Sequence, residues 1–448
     1  MLGCLVAGYL LLVCSGCNLA ETNINPNNPT DVPLSVLLPP ALESAAGELA
    51  EDAAVYAGIF CQYFTGVDNQ ALPVESYLLD ESFNMNPLWQ DFYTTSLHSL
   101  HLVIDKAQTQ QAPHYGGVGK VMMALMLGTV TSLWGDVPYS QAFQGADNLN
   151  PAYDDQEAIY QTIQQLLDEA IADLDATTSV FSPGADDVIF QGNRTRWKKT
   201  AYALKARYHL HLVKRDPAAA SLALAALGAA YTASSEEMTY TFGFTAAEQN
   251  PWFVYFRNTP YIEVDPYFVD LLKGQADPRE KALIRRTFGI NRVGDYYAGE
   301  FAAVPIITYA EVKFMEAECR VRLGQGDAAA SLQAAIAAHT QQVVGSSLPT
   351  DSIARFAARV GSLSGDPATD LGRIITQKYI SHFTQIEGWT DYRRTGWPAL
   401  SPNTGGDNPQ NPGGAIPRRF IYPQRERLFN AQFPPNNPNL QDRFWWDQ

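Results

Sequence analysis

The first 105 residues contain no lysine or arginine, although acids run through them from Glu21 to Asp105. The whole chain of 448 residues carries a net charge of −16. So acidic a surface repels nucleic acid and anionic lipid headgroups. A nucleic-acid partner is thereby excluded, and any membrane attachment needs an apolar anchor. The apolar run LGCLVAGYLLLV, residues 2–13, is too short to span a bilayer. Cysteine is scarce too, five in all, which rules out a disulfide scaffold. Charged residues make up only 17% and hydrophobic ones 46%, the balance of a globular chain and not of a disordered one. With 28 prolines and 32 glycines, long ordered loops are expected around the regular elements.

Catalytic signatures are missing as well. GGVGKV at 116–121 lacks the leading glycine of a phosphate loop and the Ser/Thr after Lys120. GSLSG at 361–365 places Leu363 where a nucleophile elbow needs serine. No HExxH occurs. His98 and His101 are spaced to share a helix flank, whereas His209 and His211 point away from each other, and neither pair reads as a metal site. The carboxylate pairs Asp154–Asp155 and Asp186–Asp187 read as caps or loop acids before they read as the two carboxylates of a glycosidase. No catalytic residue, no metal and no cofactor is expected, and the protein is expected not to be an enzyme.

What is present begins with the apolar run, which suits the core of a signal peptide. Ser15 and Gly16 then precede Cys17, a pattern that resembles the bacterial lipobox with Cys14 at the position usually held by leucine. That resemblance implies removal of residues 1–16 and acylation of Cys17. A redox role for Cys14-x-x-Cys17 would need a strand–helix context, and a zinc site two more ligands nearby. Because no basic residue precedes the run, the true start is expected upstream. Cys61 and Cys319 are expected to be buried thiols. Residues 17–40 are polar and rich in Pro and Asn, and read as a non-helical tether. Residues 41–448 are read as a single domain.

Helical periods dominate that domain. Leu42, Leu49, Ala53, Tyr56 and Phe60 make one stripe, and Ile159, Ile163, Leu166, Ala170 and Leu174 another, with Asp154 the expected N-cap. A third is Trp197, Ala201, Leu204, Tyr208 and Leu212. Thr308-x-x-Glu311 reads as a capping box for a helix ending at Gly324, and a second helix after Asp327 completes an antiparallel pair. RLGQGDAAASLQAAI loosely resembles the tetratricopeptide pattern. EEMTYTFGF is the best strand candidate. Loops are expected near 61–87, 135–153, 176–195, 240–265, 288–305 and 395–448. The basic run from Arg194 to Arg215 reads as a helix's outer face meeting acids elsewhere.

Loop aromatics are the candidate binding residues. AEQNPWFVYFRNTPY at 247–261 holds Trp252, Tyr255, Phe256, Arg257 and Tyr261 off any helical period, and Tyr63 and Tyr296 lie in similar settings. Flat rings beside amide and guanidinium donors suit sugars or peptides.

Several stretches together resemble the SusD/RagB family of outer-membrane nutrient-binding lipoproteins from Bacteroidetes-type bacteria. They include NINPNNPTDVPLSVLLPPAL, LWGDVPYSQAF at 133–143, RWKKTAYALKARYHLHL at 196–212, YAEVKFMEAECRVRLG at 309–324, EGWTDYRRTGWPAL at 387–400 and the terminal DRFWWD. The resemblance implies a mainly α fold, a superhelix of tetratricopeptide-like pairs supporting a loop-rich ligand-binding region. It also implies a role: capturing oligosaccharides or peptides at the cell surface for a partner, a TonB-dependent transporter of the SusC type. A lipid-anchored surface hydrolase, or a lid subunit with little ligand affinity, is the alternative. Arg393 and Arg394 are read as structural, pinning the C-terminal segment to the core.

Overall fold

The computed structural model describes residues 32–448 apart from 244, 246, 247, 259, 260 and 436. Cys17, the signal segment and most of the tether lie outside the described residues. The helix Leu34–Glu48 nevertheless occupies sequence expected to be non-helical, and it contains Pro39 and Pro40. Proline gives no N–H and crowds the carbonyl four residues back, a penalty of about 3 kcal/mol in a helix interior. Leu34, Leu38, Ala41, Leu42 and Ala45 are all buried along this helix. Each fully buried aliphatic side chain stabilises by roughly 1.5–3 kcal/mol, so packing outweighs the local preference. The folded region therefore starts before residue 41. After a break the same stripe continues into a separate helix, Asp52–Phe60.

At the centre runs the 22-residue helix Pro113–Trp134, buried over 94% of its most apolar window. Its length and composition would let it cross a membrane, but here helices His98–Thr109 and Gln156–Asp175 pack on it. GGVGKV lies in its first turns, where a Cβ on Gly117 would stand 2.6 Å from Leu174. On Gly128 it would stand 2.2 Å from the Tyr208 ring. These glycines let neighbouring helices approach closely, and GGVGKV is helical where a phosphate loop would be a loop.

Helices Gln156–Asp175, Arg194–His211 and Ala219–Leu227 pack in succession. The last packs on Tyr309–Arg322, which pairs with Ala328–Val344 as the sequence predicts, and Thr350–Val360 and Pro367–Ser381 close the stack. The result is the mainly α, helix-pair architecture expected. Among the described residues there are three two-stranded antiparallel sheets. One pairs Met238–Thr241, the predicted strand, with Ala303–Ile307. Another pairs Phe64–Gly66 with Ile262–Val264, joining two segments read as loops.

Two caps differ from expectation. Thr308 Oγ1 accepts from the Glu311 N–H at 3.1 Å, but the Glu311 carboxylate turns away to Arg207. Asp154 does not cap its helix. Its carboxylate accepts from the backbone N–H groups of Tyr139 and Ser140, each at 2.8 Å. The helix instead begins at Gln156, whose N–H donates to Asp136 Oδ1 at 2.8 Å. The two acids exchange work because each lies nearer the other's orphan donors once Val137 and Asp154 pair.

Arg393 and Arg394 are structural, as read. The Arg393 guanidinium lies 3.7 Å over the Trp389 ring and donates to the carbonyls of Ser132 and Arg418. Arg394 bonds both carboxylate oxygens of Glu318 and also Asp391. In the basic run, Lys198, Lys199 and Lys205 meet Asp175, Glu236 and Asp168. Arg207 departs from the outer-face expectation and is buried against Glu311. Cys61 and Cys319 are buried free thiols. Burial pushes the Cys319 thiol up to about 12.

Candidate ligand-binding site

The short helix Asn86–Gln90 and the π-helical turn Asp91–Leu97 place Trp89 and Tyr93 one turn apart. Their rings stack at 4.5 Å and 25°. Tyr93 continues the row to Phe143 at 6.3 Å, and Phe143 to His101 at 5.2 Å, with interplanar angles of 26° and 25°. Phe143 takes a left-handed backbone, φ +63°, at the end of the loop that Asp154 ties down. The rings of Tyr93 and Phe143 are half-buried, and Trp89, 7% exposed, backs them from the core.

Beside these rings opens a cleft of about 720 Å³, lined also by Gln90, Thr94, His98, Arg425 and Glu426. Its polar groups are held in place. The Arg425 backbone N–H donates to Asn86 Oδ1 at 3.0 Å, and its Nη1 to Gln90 Oε1 at 2.9 Å. Glu426 Oε2 accepts from the Tyr153 hydroxyl at 2.8 Å and from Asn430 Nδ2 at 3.1 Å. The Tyr93 hydroxyl donates to the Pro138 carbonyl at 2.9 Å. Burial of that hydroxyl, with Glu426 adding, drives the phenol well above its ordinary range and keeps it protonated. Burial also lowers the His101 imidazole below its usual value, against the pull of Asp105. Aromatic rings together with fixed amide, guanidinium and carboxylate groups can hold a ring with C–H faces and hydroxyl edges. Among the described residues, no three His, Cys, Asp or Glu side chains stand together as a metal site.

The aromatics singled out from sequence lie elsewhere. Residues 251–258, read as loop, form the helix Pro251–Asn258. That helix turns Trp252 and Phe256 inward, and Trp252 is 1% exposed. Tyr63 is fully buried, stacked on Tyr379 at 4.3 Å with its hydroxyl donating to the Tyr379 carbonyl at 2.6 Å. Trp252 meets Phe64 at 5.4 Å, so the structure does gather these rings, but as interior packing. At the margin, Tyr255 and Tyr261 meet edge to face at 6.0 Å, and the exposed Arg257 lies 5.2 Å over Phe253. Tyr296 stands apart, lining a small cavity of about 80 Å³ with Glu237 and His339. The Trp89–Tyr93 pair carries a signal in the sequence, a spacing of four residues in LWQDFYTTSL, that places both rings on one helix face. Phe143 sits inside LWGDVPYSQAF, where only the resemblance drew notice.

A family model described as "Starch-binding associating with outer membrane", the SusD-like family, matches residues 26–423. Solved structures share the fold. A SusD/RagB family protein from Bacteroides thetaiotaomicron superposes with a TM-score of 0.78 at 21% identity, covering 93% of this chain and 99% of its own. A chitin-binding protein gives 0.77 at 22%, covering 92% and 99%. A chitin-binding SusD homolog from Flavobacterium johnsoniae gives 0.76 at 20%, covering 93% and 98%. No curated protein matches the sequence.

Proposed function

The chain belongs to the SusD-like family, and from that premise we propose that it is a nutrient-binding lipoprotein of the outer membrane. In this reading it captures an oligosaccharide in the cleft along Trp89, Tyr93 and Phe143 and hands it to a TonB-dependent transporter of the SusC type. Residues 1–16 direct export and are removed, Cys17 carries the lipid, and the folded body faces outward. The protein binds and does not turn over its ligand.

The observation that carries the proposal is the cleft itself, lined by the rings together with the hydrogen-bonded Gln90, Arg425 and Glu426. Two of the structurally similar proteins are named as chitin-binding, which makes chitin oligosaccharides the first probes, followed by starch oligosaccharides and peptides. Isothermal titration calorimetry with these probes tests the function. Phe143→Ala and Tyr93→Ala, which remove the partly exposed wall rings, are each expected to weaken binding by about tenfold, with a melting curve to check that the fold is kept. Saccharide binding indifferent to both variants would remove the site, and hydrolysis of the probe would remove the binding-only role. Palmitate labelling abolished by Cys17→Ala, and co-purification with a β-barrel transporter, test the anchor and the partner.

A further inference from the structure

A second cleft, of about 600 Å³, lies between helices Thr350–Val360 and Pro367–Ser381 and the residue Trp397. It shares no residue with the first. Two arginines, Arg359 and Arg373, line it and no acid does, in a chain whose net charge is −16. Each guanidinium is held by one backbone carbonyl: Arg359 Nη2 donates to Gln275 at 2.6 Å and Arg373 Nη1 to Ser362 at 2.8 Å. Arg359 is steadied further by Phe356, whose ring centroid lies 5.3 Å away. Among the described residues neither arginine has a carboxylate within ion-pair distance, although the Arg373 charge is felt at Asp370, and with five N–H donors apiece both keep donors beyond these single bonds. Asp370, the acid nearest Arg373 in its helix, is taken up by the backbone N–H groups of Ser364 and Gly365 and by the Ser364 hydroxyl.

Trp397 supplies the apolar part. It is 39% exposed, in contrast to the buried Trp134, Trp197, Trp252, Trp389 and Trp446. Its ring is seated on Gly372, where a Cβ would come within 2.9–3.1 Å of three ring atoms. Only a residue without a side chain leaves room for the ring against that helix. The platform is therefore fixed in place, yet part of its surface is left to the cleft.

We propose that this cleft is a second saccharide subsite, selective for a sugar bearing a carboxylate, a hexuronate. The sugar ring packs on Trp397 and its carboxylate is taken by Arg359 and Arg373. Guanidinium–carboxylate hydrogen bonds are charge-assisted and directional, which gives selectivity over neutral sugars. A site with two exposed guanidiniums also captures its ligand in a salt-dependent way.

Calorimetry of the mature chain with oligogalacturonate and with a neutral chitin oligosaccharide tests the idea. Arg359→Gln/Arg373→Gln is expected to weaken oligogalacturonate by about tenfold or more while changing the neutral ligand by less than about twofold. Both arginines are solvent-exposed, so the fold survives the change, and an unaltered melting curve checks this. Oligogalacturonate is expected to reduce acrylamide quenching of tryptophan emission in the natural chain, one of eight tryptophans being Trp397, and this protection is expected to vanish in Trp397→Phe. Three results would overturn the proposal: no uronate binding at low salt, binding that survives the double arginine variant, or loss of uronate binding through Tyr93→Ala. Equal competition by acetate would reduce the site to an anion contact and end the sugar assignment. Loss through Tyr93→Ala would move the uronate to the first cleft, and the other outcomes leave the first cleft and its neutral ligand untouched.

Discussion

Arg207 and Glu311 are joined by two parallel hydrogen bonds, Nε to Oε1 at 2.8 Å and Nη2 to Oε2 at 2.7 Å, with both side chains buried. The pair bolts helix Arg194–His211 to helix Tyr309–Arg322 across the stack. His382 lies 3.5 Å from Glu311 and 3.6 Å from Asp391, and Asp391 in turn holds Lys378 at 2.9 Å and Arg394 at 2.6 Å. A buried ionic lattice thus ties four helices at the middle of the molecule.

Removing one partner of such a pair strands the other. Glu311→Gln is expected to destabilise the fold by about 3–5 kcal/mol, because the buried Arg207 loses its hydrogen-bonded counter-charge and keeps only the electrostatic pull of Glu387. Replacing both, Arg207→Met with Glu311→Leu, is expected to recover much of that loss. Urea unfolding of the three variants checks both statements.

The same carboxylate sets an acid limb. Burial favours its neutral form, but Arg207 and His382 outweigh burial and hold Glu311 well below the usual range. Its contribution to stability is present above the unfolded value of about 4.3 and lost as pH falls through the folded one. The loss of stability as pH falls below about 4 is expected to be steeper in the natural chain than in Glu311→Gln.

Glu48 behaves in the opposite sense. It is 5% exposed, and its carboxylate makes no well-formed hydrogen bond, the Ser96 hydroxyl nearby exerting only a partial opposing pull. Burial, with the charges of Glu51 and Asp91 adding, raises it well above its ordinary value. The folded state therefore holds a proton that the unfolded chain releases, and stability falls as pH rises through the folded value. Glu48→Gln is expected to stabilise the protein at pH 8 and to change little at pH 4. Denaturation midpoints at the two pH values decide it, and an equal effect at both would exclude a titrating Glu48.

Arg394→Lys is expected to be a poor replacement. A point ammonium cannot reproduce the fork that spans both oxygens of Glu318 and reaches Asp391, so a loss of about 2–4 kcal/mol is expected in chemical denaturation.

Gly128→Ala tests close packing in the central helix. The added methyl would meet the Tyr208 ring at 2.2–2.4 Å, and the Tyr208 hydroxyl is already committed to the Leu125 carbonyl at 3.1 Å. Overpacking of this kind costs about 1–3 kcal/mol, read as a lowered melting temperature.

Amphipathic helices such as Gln156–Asp175 were legible because one face meets solvent, which imprints a period on the residue order. The helix pair from Tyr309 to Val344 was legible for the same reason, helped by Thr308 and Gly324 at its turns. The central helix Pro113–Trp134 left no such stripe, since it is covered on every side. Local reading also misjudged Pro39–Pro40 and residues 251–258, where burial overrode proline and turn signals. Chemistry of residue types, the acid-rich and base-free start, the absence of catalytic signatures and the motif order that marks the family were properties of the chain alone. Which aromatics face a cleft was not. Trp252 and Trp89 look alike as letters, and their surroundings come from segments up to hundreds of positions away, such as Pro138, Phe143 and Arg425 around the first cleft. Only long-range packing decides that, because exposure is a property of neighbours in space and not of neighbours in order.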